Sequence, residues 1–232
     1  SEEDMYITSE EDLQKFYDDT YSHVNGSVLV GKTSTSGSSG VKLDDGKFNM
    51  YFRSIDLSDL TKLGQLVYVR DGLYIGNVGL KDLNYISHIA GMERLWLRGN
   101  KIEKVPELAG AQTVKYLDLS MNKLTDFAFL DQFAALETLY LGSSDKPQNE
   151  TNDIGLVADL AAYTNLKYID LSGLPLHAWQ VDDLRAAMPN TEIVFSAGGR
   201  DPHIPTVKAS RVNRDETAVT LNAVVTSAGK SD

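Results

Sequence analysis

The sequence predicts an α/β solenoid: a right-handed coil in which each turn adds one short strand to a parallel sheet on the concave side. Three observations predict it. A Leu-x-Leu pattern returns every 22 residues, apolar residues recur at fixed offsets within each repeat, and the same offsets resume wherever extra residues intrude. A period of this kind marks an architecture in which no unit can bury its apolar edge alone, so neighbours must stack into one continuous core.

The elements follow in chain order. Met5-Tyr6-Ile7 reads as a strand, and Ser9-Glu10-Glu11-Asp12 opens a helix with a hydroxyl at the cap and acids in the first turn. Leu13, Phe16, Tyr17 and Tyr21 fall on one helical face, which predicts a helix from Ser9 to about Thr20 and a cap over residues 1–27. Asn25-Gly26 turns the chain into Val28-Leu29-Val30, the first solenoid strand. The next strand, Leu73-Tyr74-Ile75, lies 45 residues on, about 22 more than one repeat. The excess, Lys32–Ser54, is rich in Gly, Ser and Thr over Thr33–Gly40 and carries the turn signal Asp44-Asp45-Gly46 before Phe48–Arg53. It reads as a flexible loop leading into a strand or hairpin.

Regular repeats then start at Leu73, Leu95, Leu117 and Leu139. With the first Leu as position 1, apolar residues stand at positions 8, 11, 14, 17 and 20, for example Leu124, Phe127, Leu130, Phe133 and Leu136. From Leu139 the step to Ile169 is 30, and the ladder Ile154, Val157, Leu160, Tyr163 and Leu166 is displaced by eight. An insertion near 145–152 is expected, between positions 6 and 8. The last step, Ile169 to Ile193, is 24 and contains the helical spacing Trp179, Leu184, Met188 before Pro189. The solenoid thus spans 28–196. A Gly/Pro linker is expected at 197–206, and residues 207–232 form a tail in which Val219, Leu221, Ala223 and Val225 alternate like a strand.

The segments Met92 to Asn100 and Val114 to Asn122 match L-x-x-L-x-L-x-x-N, with Met92 and Val114 in place of the first Leu. The chain therefore resembles leucine-rich-repeat proteins from about Gly26 to Ser196. Val24–Val30, preceded by the helix, resembles the opening of receptor L domains and of related bacterial surface proteins. Asp215–Ser227 resembles early strands of an immunoglobulin-like or fibronectin-like module, which makes the tail the start of a truncated sandwich domain. The pattern departs from the family at position 6, where Asn stands only at Asn100 and Asn122, while Val78, Ser144 and Leu174 fill the other sites. A broken asparagine ladder is expected. The resemblance implies a non-enzymatic recognition module of a bacterial surface or secreted protein, with its partner on the concave face. Two alternatives stay open: an accessory surface lipoprotein of an outer-membrane nutrient-uptake complex, lipid-anchored outside this chain, and a structural spacer presenting other domains. No lipidation motif is visible.

Composition excludes several classes. Lys and Arg number 22 against 33 Asp and Glu, a net charge of −11, with no basic block to grip a phosphate backbone, so no nucleic-acid partner is expected. No apolar run reaches the ~18 residues of a transmembrane segment. There is no cysteine, hence no disulfide scaffold, thiolate–zinc site or cysteine nucleophile. The cysteine absence also favours a bacterial origin, because extracellular animal relatives usually staple their caps with disulfides. The four histidines have no ligand-spaced partner, and there is no phosphate loop or nucleophile elbow. No enzyme activity, metal or cofactor is expected. Asn25-Gly26-Ser27 and Asn149-Glu150-Thr151 match the N-glycosylation triplet, which occurs often by chance.

The strands carry the candidate site. In Leu-x-Leu the two leucines face the core, so the residues before, between and after them face the concave surface. The middle column is Leu29, Tyr74, Trp96, Asp118, Tyr140, Asp170 and Val194. The preceding column holds Gly72, Arg94, Tyr116, Thr138 and Tyr168, and the following one Gly76, Arg98, Ser120, Gly142 and Ser172. Tyr, Trp and Arg dominate binding hot spots, although cross-strand stacking alone also favours aromatics in sheets. The expected site for a protein or glycan partner is Tyr74, Trp96, Arg98, Tyr116, Tyr140 and Tyr168. Arg94, Asp118 and Asp170 lie beside them, and the two insertions border the site on one rim.

Overall fold

The computed structural model describes residues 3–37, 39–145, 152–198 and 202, and the backbone of 206–214 and 219–227. The chain enters through β1 (Met5–Ile7) and α1 (Glu10–Asp18), then β2 (His23–Val24) and β3 (Ser27–Val30). Three strands follow, β4 (Lys32–Ser34), β5 (Val41–Asp44) and β6 (Asn49–Arg53), then β7 (Tyr68–Val69) and β8 (Gly72–Ile75). The regular turns contribute β9 (Arg94–Trp96), β10 (Tyr116–Asp118), β11 (Thr138–Tyr140) and β12 (Tyr168–Asp170). The last turn runs through α2 (Ala178–Ala187) to β13 (Glu192–Val194), and the tail holds β14 (Thr206–Arg214) and β15 (Val219–Ser227).

Eight of these strands form one parallel sheet in the order β1-β3-β8-β9-β10-β11-β12-β13. Leu73, Leu95, Leu117, Leu139, Ile169 and Ile193 stand in one register across it, as the 22-residue pattern requires. The sheet has one strand beyond the solenoid repeats, because β1 pairs in parallel with β3, Met5 opposite Val28. The returns are short 3-10 turns at Leu60–Gln65, Leu83–Tyr85, Ala111–Thr113, Ala128–Gln132 and Ala158–Ala162. An apolar residue every third position matches three residues per 3-10 turn, so the ladder side chains line up on one inward stripe. The last turn spaces its apolar residues at the α-helical period and forms α2, whose Val181 and Leu184 are buried. The ladder and the Leu-x-Leu pairs together make one continuous core from Ile7 to Ile193.

The N-terminal strand and helix, β1 and α1, form with a narrower apolar face than expected. Ser9 Oγ accepts the Asp12 N–H at 3.1 Å, and the Asp12 carboxylate accepts the N–H and hydroxyl of Thr8. Those two bonds from Thr8 hold the Asp12 carboxyl below the usual range despite its partial burial. Leu13 and Phe16 are buried, but Tyr17 and Tyr21 are exposed, so the apolar face is narrower than the spacing suggests. Gln65 Nε2 donates to the carbonyls of Phe16 and Tyr21, joining the first return to the end of the helix.

The asparagine ladder is longer than the sequence register indicates. Asn100 donates to the carbonyls of Ile75 and Leu97, and Asn122 to those of Leu97 and Leu119. Asn152 supplies the next rung, donating to Leu119 and Leu141 while accepting the Leu124 N–H. The eight inserted residues therefore fall before position 6, and Asn152 rather than Ser144 occupies that position. β14 and β15 pair antiparallel in a separate two-stranded sheet, and most of the expected linker lies outside the described residues.

Candidate functional site

The first insertion decides which part of the concave face is open. It is not a flexible border: β4, β6 and β5 form a three-stranded antiparallel sheet with Val41 opposite Phe52 and Leu43 opposite Met50. Strand alternation puts Val41, Leu43, Met50 and Phe52 on one face, and that face needs cover. Leu29, Tyr74 and Trp96 supply it, closing a second apolar core with Phe48 and Met121. Phe52 lies 5.0 Å from the Trp96 ring and Phe48 stands edge-on to Tyr74 at 5.2 Å. Gly76 makes the room: a Cβ there would come within 2.5 Å of Trp96 Cζ3 and 2.7 Å of Phe52 Cγ.

Polar contacts fix this cover. The Asp45 carboxylate accepts the Tyr74 hydroxyl at 2.8 Å, Arg94 Nη1 at 2.7 Å and the Phe48 N–H at 3.0 Å. Burial pushes the Asp45 carboxyl up, but these donors outweigh it and hold the group below its ordinary value. Burial and the Asp45 charge push the Tyr74 hydroxyl far above the usual phenol range. Arg98 is the second anchor. Its Nε and Nη2 grip one Asp118 oxygen at 2.9 and 2.7 Å, and Nη1 donates to the Lys42 carbonyl and to Asp145 at 3.0 Å. One guanidinium thus ties both insertions to the sheet. Burial works against its charge, and Asp118 more than restores it, so its proton is held more tightly than in water.

These contacts correct the expected exposure. Tyr74 and Trp96 are 0% and 1% exposed, roofed by the first insertion, and Arg98, Asp118 and Asp170 are buried as well. The insertion at Lys32–Ser54 covers the N-terminal half of the concave face instead of bordering it. Of the second insertion, 146–151 lie outside the described residues, including the triplet Asn149-Glu150-Thr151, and Asp145 reaches back to Arg98. The alternation Val41/Leu43 and Met50/Phe52, with glycine at Gly31 and Gly76 where the columns would hold side chains, was the available signal for a covering sheet.

Among the described residues, the row Tyr116, Tyr140 and Tyr168 on β10, β11 and β12 stays partly exposed, with Tyr116 against the edge of the second core. Adjacent rings are 5.5 and 5.3 Å apart and tilted by 44° and 45°. The Tyr140 hydroxyl is hydrogen-bonded toward both neighbours, and burial pushes the hydroxyls of all three tyrosines up. They remain neutral hydrogen-bonding groups at any physiological pH. Guanidinium groups lie against the row, Arg94 at 5.4 Å from the Tyr116 ring and Arg98 at 5.4 Å from Tyr140. Asp170 accepts the N–H groups of Ser172 at 2.8 Å and Ser144 at 3.3 Å, and burial raises its carboxyl above the ordinary range. No cluster of metal-ligating side chains occurs among the described residues. The arrangement presents partly exposed aromatic faces and hydroxyls in a fixed row.

A parallel sheet built from 22-residue Leu-x-Leu turns, stapled by buried asparagines, defines a leucine-rich-repeat solenoid. Among solved structures, the chain is similar to internalin C2 of Listeria monocytogenes, with 16% identity and a TM-score of 0.49 over 82% of this chain and 76% of that one. It is likewise similar to a second Listeria monocytogenes internalin, inlF, with 18% identity and a TM-score of 0.49 over 82% of this chain and 51% of that one. No protein-family model and no curated protein matches the sequence. No helix among the described residues is long and apolar enough to cross a membrane.

Proposed function

We propose that this chain is a non-enzymatic recognition module of a bacterial surface or secreted protein, and that it binds a protein partner through the C-terminal half of its concave face. One observation carries the reading: the tyrosine row Tyr116, Tyr140 and Tyr168 remains partly exposed where the neighbouring aromatics, Tyr74 and Trp96, are sealed beneath an insertion. The second core accounts for Tyr74 and Trp96 as packing residues. Packing accounts for the row less completely: Tyr116 abuts the second core and Arg94 and Arg98 lie over Tyr116 and Tyr140, yet all three rings stay partly exposed. Tyrosines on a rigid sheet lose little entropy on binding and are favoured hot-spot residues. The first insertion then serves as a fixed wall that confines the partner to β10–β13.

The test is capture of a partner from culture supernatant or host-cell extract, followed by affinity measurement with Tyr140→Ala and Tyr168→Ala. Each variant is expected to lose about 1–2 kcal/mol of binding while keeping its far-UV circular dichroism. Full affinity in both would favour a spacer that presents other domains.

A further inference from the structure

Along the tyrosine row the chain supplies its own cations, and the supply stops one ring short. Arg94 lies over Tyr116 and Arg98 over Tyr140, but no cation lies over Tyr168 among the described residues. The charges around the row follow the same gradient. Lys42 pairs with Asp44 at 3.2 Å, Arg94 with Asp45 at 2.7 Å, and Arg98 with Asp118 at 2.7 Å and Asp145 at 3.0 Å. Glu192 stands opposite Tyr168 on β13, exposed, and forms no ion pair among the described residues. Asp170, two residues along β12 from Tyr168, is buried, bonded to Ser172 and the Ser144 N–H and under the field of Arg98. Both carboxylates act electrostatically on the Tyr168 hydroxyl.

An aromatic face attracts a cation through its quadrupole, more strongly when a carboxylate adds its field and water is partly excluded. We propose that the partner presents a lysine or arginine side chain to Tyr168, completing the cation series that Arg94 and Arg98 begin, with exposed Glu192 as its countercharge. The partner is therefore a basic protein segment, which the net charge of −11 also attracts to the molecule as a whole. The inference rests on the concave-face reading above and narrows it.

The experiment uses the full chain and defined probes: a peptide of alternating Gly and Lys, the same peptide with every lysine acetylated, its Glu counterpart, and a neutral hexasaccharide. Titration calorimetry at low and high salt is read for the wild type and for Tyr168→Ala, Glu192→Gln, Tyr140→Ala and Glu103→Gln, all checked by circular dichroism. Glu103 is exposed on the outer side of the solenoid and controls for diffuse attraction. The lysine peptide is expected to bind, and the acetylated and Glu peptides to fail. Tyr168→Ala should weaken it about tenfold and Glu192→Gln about threefold, with no change for Glu103→Gln. Equal binding of the acetylated peptide, equal effects of Glu192→Gln and Glu103→Gln, or no binding of the lysine peptide would overturn the proposal. Hexasaccharide or Glu-peptide binding that is lost in Tyr140→Ala would overturn it while leaving the concave-face reading intact. Binding of any probe that ignores both tyrosines would overturn the two together.

Discussion

Asn122 donates to the carbonyls of Leu97, Leu119 and Ser120 and accepts the Ile102 N–H, all away from water. Removing its side chain strands those groups, and an unmet buried partner costs about 1–3 kcal/mol. Asn122→Ala and Asn152→Ala should therefore shift the urea midpoint by similar amounts. Asp118 behaves unlike an ordinary concave residue, because it neutralises buried Arg98. Asp118→Ala leaves that charge with only the half-exposed Asp145 and should cost about 3 kcal/mol. Asp45 gives a pH signature. Its folded pKa lies below the unfolded value near 3.8, so its stabilisation is present above that value and is lost as pH falls through the folded one. Asp45→Asn should lower stability at neutral pH, and the gap from wild type should close under acid unfolding. The positions of Asn100 and Asn122 were legible in the motif. Asn152 was not, because an insertion of eight residues can be drawn on either side of position 6 with no change to the apolar ladder.

The strands and return turns were legible because one inward stripe forces a period that survives interruption. The first insertion was only half legible. Its turn at Asp44-Asp45-Gly46 and the strand after it follow from local chemistry, whereas its docking depends on Tyr74 and Trp96, distant in sequence from Phe48 and Phe52. Phe52 is fully buried against Trp96, so Phe52→Ala should cost about 3–5 kcal/mol. It should also move the Trp96 contribution to fluorescence toward longer wavelength. A chain lacking residues 1–24 would lose β1, α1 and the buried Leu13 and Phe16, opening the first turn's core. It is expected to aggregate on gel filtration rather than melt like the full protein.

At the scale of the molecule, half of the concave face belongs to the fold and half is open. Aromatics run through both halves alike in the sequence, since Tyr74 and Tyr140 occupy equivalent positions in their repeats. The difference comes from what lies above them: Phe48 and Phe52 seal Tyr74 and Trp96, whereas Tyr116 and Tyr140 carry only the guanidinium groups of Arg94 and Arg98 and stay partly exposed, as does Tyr168. The measurement that tests this division most directly is partner affinity in the double variant Tyr140→Ala/Tyr168→Ala, with the fold monitored by circular dichroism. The expected result is a loss of at least about tenfold at unchanged secondary structure, the size of one hot-spot residue or more. Wild-type affinity in that folded double variant would contradict the assignment of the open half as the binding surface.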